Sequence, residues 1–296
     1  MKDIQKRAEI LIEAIPYLRK FYNKIIVIKY GGHAMVDDTL KRAFADDILF
    51  LKQAGIKPVV VHGGGPEINN LMKMVGKEPK FLSGLRQTDS ETIELVEMVL
   101  SGKVNKEIVA NINSLGGKAI GLSGKDAHSI KAKKYVDPPG NGKDNDYGYV
   151  GDVESIDPYI LHVLVNEGYV PVISPIGLGV DGCGYNINAD IVAGSIAASI
   201  GAEKYICLTD VKGILRDVED EGSIISKLSL KDAKELMASG ELKGGMIPKL
   251  ESCITAIEAG VPKAHIIDGR IKHAMLVELL TNEGIGTMLY GDDNNE

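Results

Sequence analysis

Apolar residues fall into two alternating rhythms along this 296-residue chain. Mostly apolar runs at 25–29, 58–62, 118–123, 170–174, 204–209 and 263–267 predict β-strands buried on both faces. Between them, apolar positions three and four apart predict helices at 38–54, 66–75, 89–100, 103–115, 157–167, 189–200, 230–239, 248–259 and 271–281. Such alternation predicts an α/β fold, with a mainly parallel sheet covered by helices on both faces. Ahead of the first strand, Ala8, Leu11, Ile12, Ile15, Leu18 and Tyr22 share a helical period. Pro16 lies inside that pattern and predicts a kink or break. The apolar face of this helix has two readings: packing on its own domain, or packing against another subunit. Two stretches break the rhythm. YVDPPGNGKDNDYGYVGD at 135–152 reads as a hairpin or lid, and 178–184 as a second turn-rich segment.

Composition narrows the classes. Hydrophobic residues make up 44% and charged residues 25%, as in an ordinary soluble protein. A net charge of −7 argues against nucleic acid as the main partner, while leaving room for a small anionic ligand. Cys183, Cys207 and Cys253 lie far apart and form no CxxC pair, which fits a reducing compartment and suggests no metal site. No apolar run is long enough to span a bilayer. Asp3, Lys6, Arg7, Glu9 and Glu13 interrupt the N-terminal stretch, unlike a secretory signal. A cytoplasmic location is the expectation.

The candidate chemistry sits where strands end. IIVIKYGG at 25–32 and VVVHGGGP at 59–66 are strands that stop in glycines, each before a helix-like stretch. Glycine lets backbone N–H groups turn toward a bound anion, and a helix N-terminus adds positive potential. Lys29 stands at the mouth of the first strand. Either loop alone is equally a plain strand–helix turn. Arg86, in Gly84-Leu-Arg86, offers a fork for a carboxylate or forms a surface ion pair. In Tyr185-Asn-Ile-Asn-Ala-Asp190, Asp190 is a helix N-cap or a site residue, and Asn186 and Asn188 hold a ligand or the turn. Thr209 and Asp210 end another strand. Lys249 follows Gly244-Gly-Met-Ile-Pro at a helix start, where a cation is unfavourable unless an anion is bound nearby.

KYGGHAM, VHGGGP, GLR, YNINAD, LTDVKGIL and GGMIPK, in that order, resemble the amino acid kinase family. Within it they are similar to the members that act on N-acetyl-L-glutamate. HIIDGRIKHAMLVELLTNEGIGTM from His265, with the leading helix, resembles the arginine-inhibited type. The resemblance implies a three-layer αβα sandwich in two lobes. Residues 1–23 would form an oligomerisation helix, 24–200 an acyl-substrate and dimerisation lobe, and 201–296 an ATP lobe with an arginine site. It implies transfer of the γ-phosphoryl of ATP to the side-chain carboxylate of N-acetyl-L-glutamate, an early step of arginine biosynthesis.

The resemblance also implies residue roles. Gly64, Gly65, Arg86, Asn186 and Asn188 would hold the acetylated amino acid. Gly31, Gly32, Thr209, Asp210, Val211, Lys212, Gly213, Ile214, Leu215, Glu241, Leu242 and Lys243 would meet phosphate or nucleotide. Lys29 and Lys249 would stabilise the moving phosphoryl group and Asp190 would orient them. Tyr17, Lys212, His273, Glu278, Gly284 and Gly286 would contact arginine in a hexamer built as a trimer of dimers. Mg2+ would ride on ATP, with no direct protein ligand.

Physical chemistry agrees with this reading. A carboxylate is already ionised at neutral pH and needs no general base. The difficulty is bringing one anion up to another, so fixed positive groups and positioning carry the catalysis. Rivals are the aspartate, glutamate, carbamate and uridylate kinases of the same family, a non-catalytic nucleotide sensor, and a dinucleotide-dependent dehydrogenase. VHGGGP is not the GxGxxG of the last class.

Overall fold

The computed structural model describes residues 9, 11–137, 145–217, 220, 222–242, 244–282 and 284–292. The first half runs α1 (Ile15–Phe21), β1 (Ile25–Tyr30), α2 (Asp38–Gln53), β2 (Lys57–His62), α3 (Gly65–Met74), β3 (Phe81–Leu82), β4 (Leu85–Arg86), α4 (Ser90–Glu97), α5 (Asn105–Ser114), β5 (Ala119–Ser123) and β6 (Ile130–Lys134). Then come β7 (Val150–Ile156), α6 (Tyr159–Asn166), β8 (Val170–Ser174), β9 (Ile176–Gly179), β10 (Gly184–Ile187), α7 (Ala189–Ser199) and β11 (Lys204–Thr209). The chain continues with β12 (Lys227–Ser229), α8 (Leu230–Ser239), α9 (Met246–Glu258), β13 (Lys263–Asp268), α10 (Ala274–Leu280) and β14 (Thr287–Tyr290).

All six predicted strands enter one eight-stranded sheet, in the order β12-β14-β13-β11-β1-β2-β8-β5. Every pairing in it is parallel except β13 with β14. Side chains alternate across the sheet and feed two cores. Ile26, Ile28, Val60, Ile206 and Leu208 pack on one side with Ile48 and Leu51 of α2 and Ile112 of α5. Val27, Val59, Val61, Tyr205 and Cys207 pack on the other with Val192 and Ile196 of α7 and Leu250 and Cys253 of α9. That is a three-layer sandwich. Fully burying each such aliphatic side chain contributes about 1.5–3 kcal/mol, so both layers are held firmly to the sheet.

Parallel pairing fixes where the loops meet. Lys29 lies beside Cys207, and Tyr30 beside His62, so the glycine loops after β1 and β2 and the turn after β11 share one edge. Small residues bring α7 and α9 together across that edge. A Cβ on Gly194 would sit 2.5 Å from the Ser252 carbonyl oxygen, a distance only glycine allows.

The structure departs from the sequence reading in four places. The two helices expected at 89–100 and 103–115 are one continuous rod, joined through a π-helical segment, Met98–Val104. Gly102 in this segment is tolerated because Val99, Leu100 and Val104 remain buried. Second, β6, β7, β9 and β10 close a small barrel. The 135–152 stretch spans the β6–β7 connection as the hairpin reading expects, although 138–144 lie outside the described residues. Third, β12 and β14 extend the sheet beyond β13. Fourth, the break near Pro16 falls at Ala14, and the helix restarts at Ile15 with the proline in its first turn, where a missing N–H costs nothing. Ala8 lies outside the described residues. Among the described residues no helix is long and apolar enough to cross a membrane.

Candidate active site at the strand ends

One carboxylate ties the two lysines together. Asp190 Oδ1 is 2.9 Å from Lys29 Nζ, and Asp190 Oδ2 is 3.2 Å from Lys249 Nζ. Lys29 comes from β1, Asp190 from the first turn of α7 and Lys249 from the first turns of α9. Asp190 is therefore not the N-cap of α7. Asn188 caps it, its side-chain oxygen accepting from the Asp190 N–H at 2.8 Å. This leaves the Asp190 carboxylate free to face the lysines. Burial opposes its charge, but Lys29 and Lys249 outweigh burial and hold it below the ordinary carboxylate range. Burial likewise opposes the charge of Lys29, yet Asp190 beside it raises the lysine above its usual value. The cluster thus stays ionised, with two ammonium groups against one carboxylate. Cys207 donates a weak hydrogen bond to Asp190 at 3.4 Å, and burial pushes this thiol up to about 12. The Lys249 ammonium also donates to the Gly245 carbonyl at 3.1 Å.

Two cavities adjoin this cluster: Lys249 lines the larger, and Asn188 and Ala189, the residues just before Asp190, line the smaller. The smaller, about 200 Å³, is lined by Gly63, Gly64, Gly65, Gly84, Arg86, Leu100, Asn186 and Asn188, among others. Arg86 is buried, donates to the Gly65 carbonyl at 3.2 Å, and stacks 4.9 Å from the Phe81 ring centre. Burial pulls its pKa down, and among the described residues no carboxylate pairs with it. A buried guanidinium without a counter-charge is costly, so this cavity suits an anion better than a neutral or cationic ligand. Asn186 donates to Thr88 Oγ1 at 3.4 Å. Leu100 packs so tightly on the loop that a Cβ on Gly64 would come within 2.6 Å of it.

The larger cavity, about 750 Å³, is lined by Thr209, Val211, Gly213, Ile214, Leu215, Glu241, Leu242, Met246 and Lys249, with Arg216, Ile225, Leu236 and Gly245. Its apolar walls suit a flat heterocycle, and Lys249 brings the cation at its inner end. Beside it, Asp210 accepts from the His33 N–H at 2.5 Å and covers Gly32, whose φ of +74° and missing Cβ leave room for that carboxylate. The Lys29 ammonium folds back over Gly31, where a Cβ would stand 2.6 Å away. Lys212 lies near Asp268 and lowers its pKa, a smaller effect than the opposing burial and the contacts from Arg270. Lys243 lies outside the described residues.

The candidate arginine contacts divide. Tyr17 donates from α1 to Asn282, just beyond α10. Glu278 Oε1 is 2.7 Å from His265 Nδ1, and its Oε2 accepts from the Ile285 N–H at 3.0 Å, between Gly284 and Gly286. His273 pairs instead with Asp47 at 2.5 Å. The sequence reading missed Lys204, which is buried beside Phe21, with its ammonium 5.1 Å from the ring centre. Burial brings Lys204 down to about 8, while Glu278 pulls it upward. A lysine opening an otherwise apolar strand was the available signal.

Comparison with known proteins places this geometry. The sequence model of the "Amino acid kinase family" matches residues 24–268. The acetylglutamate kinase of Moorella thermoacetica is 53% identical over 96% of this chain and 97% of its own. That of Methanocaldococcus jannaschii is 51% identical over 99% of each. Among solved structures, the N-acetylglutamate synthase of Neisseria gonorrhoeae complexed with coenzyme A and N-acetyl-glutamate superposes with a TM-score of 0.82 at 26% identity, over 96% of this chain and 63% of that one. Giardia lamblia carbamate kinase bound to AMP-PNP, at 17% identity and a TM-score of 0.67 over 91% of this chain and 99% of its own, shares the fold. With the family model covering most of its length and the lysine–aspartate–lysine cluster at the sheet edge, this chain belongs to the amino acid kinase family.

Proposed function

We propose that this protein transfers the γ-phosphoryl group of ATP to the side-chain carboxylate of N-acetyl-L-glutamate, giving N-acetyl-L-glutamyl 5-phosphate and ADP for arginine biosynthesis. The observation that carries this reading is the grip of Asp190 on Lys29 and Lys249 next to an anion-suited cavity and a nucleotide-sized one. Identity above 50% to acetylglutamate kinases over nearly the whole chain supports the substrate.

The acyl substrate lies in the smaller cavity. Arg86 meets its α-carboxylate, Asn186 and Asn188 its acetamide, and the Gly64 and Gly65 N–H groups its reacting end. ATP occupies the larger cavity, its base against Val211, Ile214, Leu215 and Leu242, with Glu241 at the rim; Lys243, assigned to the nucleotide by the resemblance, lies outside the described residues. Thr209, Asp210, Lys212 and Gly213 frame the route to the phosphates, and the Gly31 and Gly32 N–H groups approach them. A carboxylate oxygen attacks phosphorus in line as the bond to the β-phosphate oxygen breaks. Lys29 and Lys249 flank the transferring group and offset its charge, and Asp190 holds both ammonium groups in place. Both Asp190 oxygens are already taken by lysines, so the cluster offers no free carboxylate for a cation. Mg2+ would be carried by ATP oxygens and water rather than by this cluster, and would offset phosphate charge. Hydroxylamine trapping tests the whole reading. Acetylglutamate should give a hydroxamate, with glutamate and aspartate far behind; equal yields from all three would refute the substrate.

Control by arginine belongs to the same proposal. Within residues 1–23, of which 1–8 and 10 lie outside the described residues, the N-terminal segment serves oligomerisation, 24–200 and 201–296 act as the two lobes, and the assembly is a cytoplasmic hexamer of three dimers. Arginine binds between the helix and the C-terminal lobe, with its guanidinium on Glu278 and further contacts from Tyr17, His273, Gly284 and Gly286 and a weaker one from Lys212. Inhibition requires that arginine favour a less active state.

A further inference from the structure

His62, in the VHGGGP segment, takes no part in the reaction described above, yet it is fully buried next to the substrate loop. Its Nδ1 lies 2.8 Å from the Gly63 carbonyl oxygen, and its Nε2 lies 3.1 Å from Asn105 Nδ2. Asn105 is equally buried and directly follows the π-helical segment. Its amide orientation is settled by its other neighbours. Nδ2 donates to the Val172 carbonyl at 2.9 Å, and Oδ1 accepts from Lys106 Nζ at 3.0 Å. An amide nitrogen only donates, so Nε2 of His62 must present its lone pair; a carbonyl only accepts, so Nδ1 must carry the proton.

The Gly63 N–H donates to the Tyr30 carbonyl at 2.9 Å, so both polar groups of this residue are engaged. A trans peptide is planar, and pinning the Gly63 carbonyl therefore fixes the opposite direction of the Gly64 N–H. That N–H belongs to the N-cap of α3, where helix geometry provides no partner. We infer that His62 and Asn105 are positioning residues: Asn105 locks His62 in the Nδ1–H tautomer, and His62 holds the Gly63–Gly64 peptide so that its N–H points at the acyl substrate. The inference rests on the substrate assignment above. It concerns orientation, since neither side chain touches the reacting atoms.

Histidine-selective ¹⁵N labelling tests it directly. The His62 resonances, assigned by their loss in His62→Asn, should show a protonated Nδ1 and a bare Nε2 in the free wild-type protein near neutral pH. Asn105→Asp offers Nε2 an acceptor while the Gly63 carbonyl still accepts from Nδ1, so both ring nitrogens should carry protons in that variant. His62→Leu removes the hold on the Gly63 carbonyl and should raise the KM for acetylglutamate by about tenfold, with the KM for ATP within about twofold. His62→Asn, whose amide can still reach the Gly63 carbonyl, should restore most of the loss. A wild-type Nε2–H or imidazolium signal overturns the inference. So does equal kinetic behaviour of the Leu and Asn variants, which keeps the test decisive where Asn105→Asp does not fold. Absence of hydroxamate from acetylglutamate with wild-type protein would instead sink the substrate assignment, while the tautomer, a property of the free protein, would still be readable.

Discussion

At the residue scale, charge balance sets the site's behaviour. Lys29 is the more buried of the two lysines, and among the described residues Asp190 is the carboxylate it pairs with. Lys29→Ala should lower kcat by on the order of 10² to 10³, the scale of losing one preorganised donor, with KM little changed. Near-normal turnover would remove Lys29 from the mechanism. Arg86→Ala should act mainly on the KM for acetylglutamate, through loss of a charged hydrogen bond of about 2 kcal/mol. A KM left at the wild-type value would assign that pocket to another ligand. Acid stability has a residue-level origin as well. Burial, helped by the charge of Lys106 and opposed by the hydrogen bond to Gly63, brings His62 down to about 4, so the folded protein keeps the ring neutral while the unfolded chain binds a proton from about 6.5 downward. Between those values the unfolded state holds more protons, so stability is full above pH 6.5 and is lost as pH falls toward 4, by about 3 kcal/mol. Urea titrations of wild type and His62→Asn across this window should show the steeper loss in wild type; parallel curves would mean the ring is solvated.

At the scale of elements, the glycine loops depend on close approach. Gly32 has φ +74°, a region that costs a residue with Cβ about 1–2 kcal/mol, and its Cβ would overlap the Asp210 carboxylate. Gly32→Ala should therefore displace Asp210 and raise the KM for ATP roughly tenfold, an effect a nucleotide-analogue titration would show as weaker binding; unchanged affinity would detach this loop from the nucleotide. Strands such as Lys57–His62 were legible because a strand buried on both faces carries a continuous apolar middle, here Val59, Val60 and Val61. The barrel strands were not. IKAKK, IGLG and GYNI are short and mix glycine or lysine into the run, so no apolar stretch announces them. The π-helical join was hidden for a different reason, since a wider turn shifts apolar spacing by only one position. For the site, Lys29, Asp190 and Lys249 were legible only as members of ordered motifs. They are far apart in the chain, and no local pattern encodes that they meet. The Asn105–His62 contact was invisible for the same reason, since an asparagine at a helix start reads as a cap.

At the scale of the whole molecule, the N-terminal segment presents two unlike sides. Phe21 is buried to 2% exposure, and Tyr17 reaches Asn282, so one side is docked beside the end of α10. Leu11, Ile12 and Tyr22 remain 70%, 64% and 67% exposed, and Ile15 41%. Four large apolar side chains on one short segment are more than scattered surface hydrophobes, and a second copy of the same segment would bury them symmetrically. The docked side lies beside the helix that carries Glu278, so a helix shared between copies would couple assembly to the proposed effector site. Deleting residues 1–20 removes Leu11, Ile12, Ile15 and Tyr17 while leaving Lys29, Asp190 and Lys249 in place. The truncated protein should keep its catalytic rate, shrink from a hexamer to dimers in analytical ultracentrifugation, and lose inhibition by arginine. A truncated enzyme that stays hexameric and equally inhibited would place both the assembly contacts and the effector site elsewhere on the molecule.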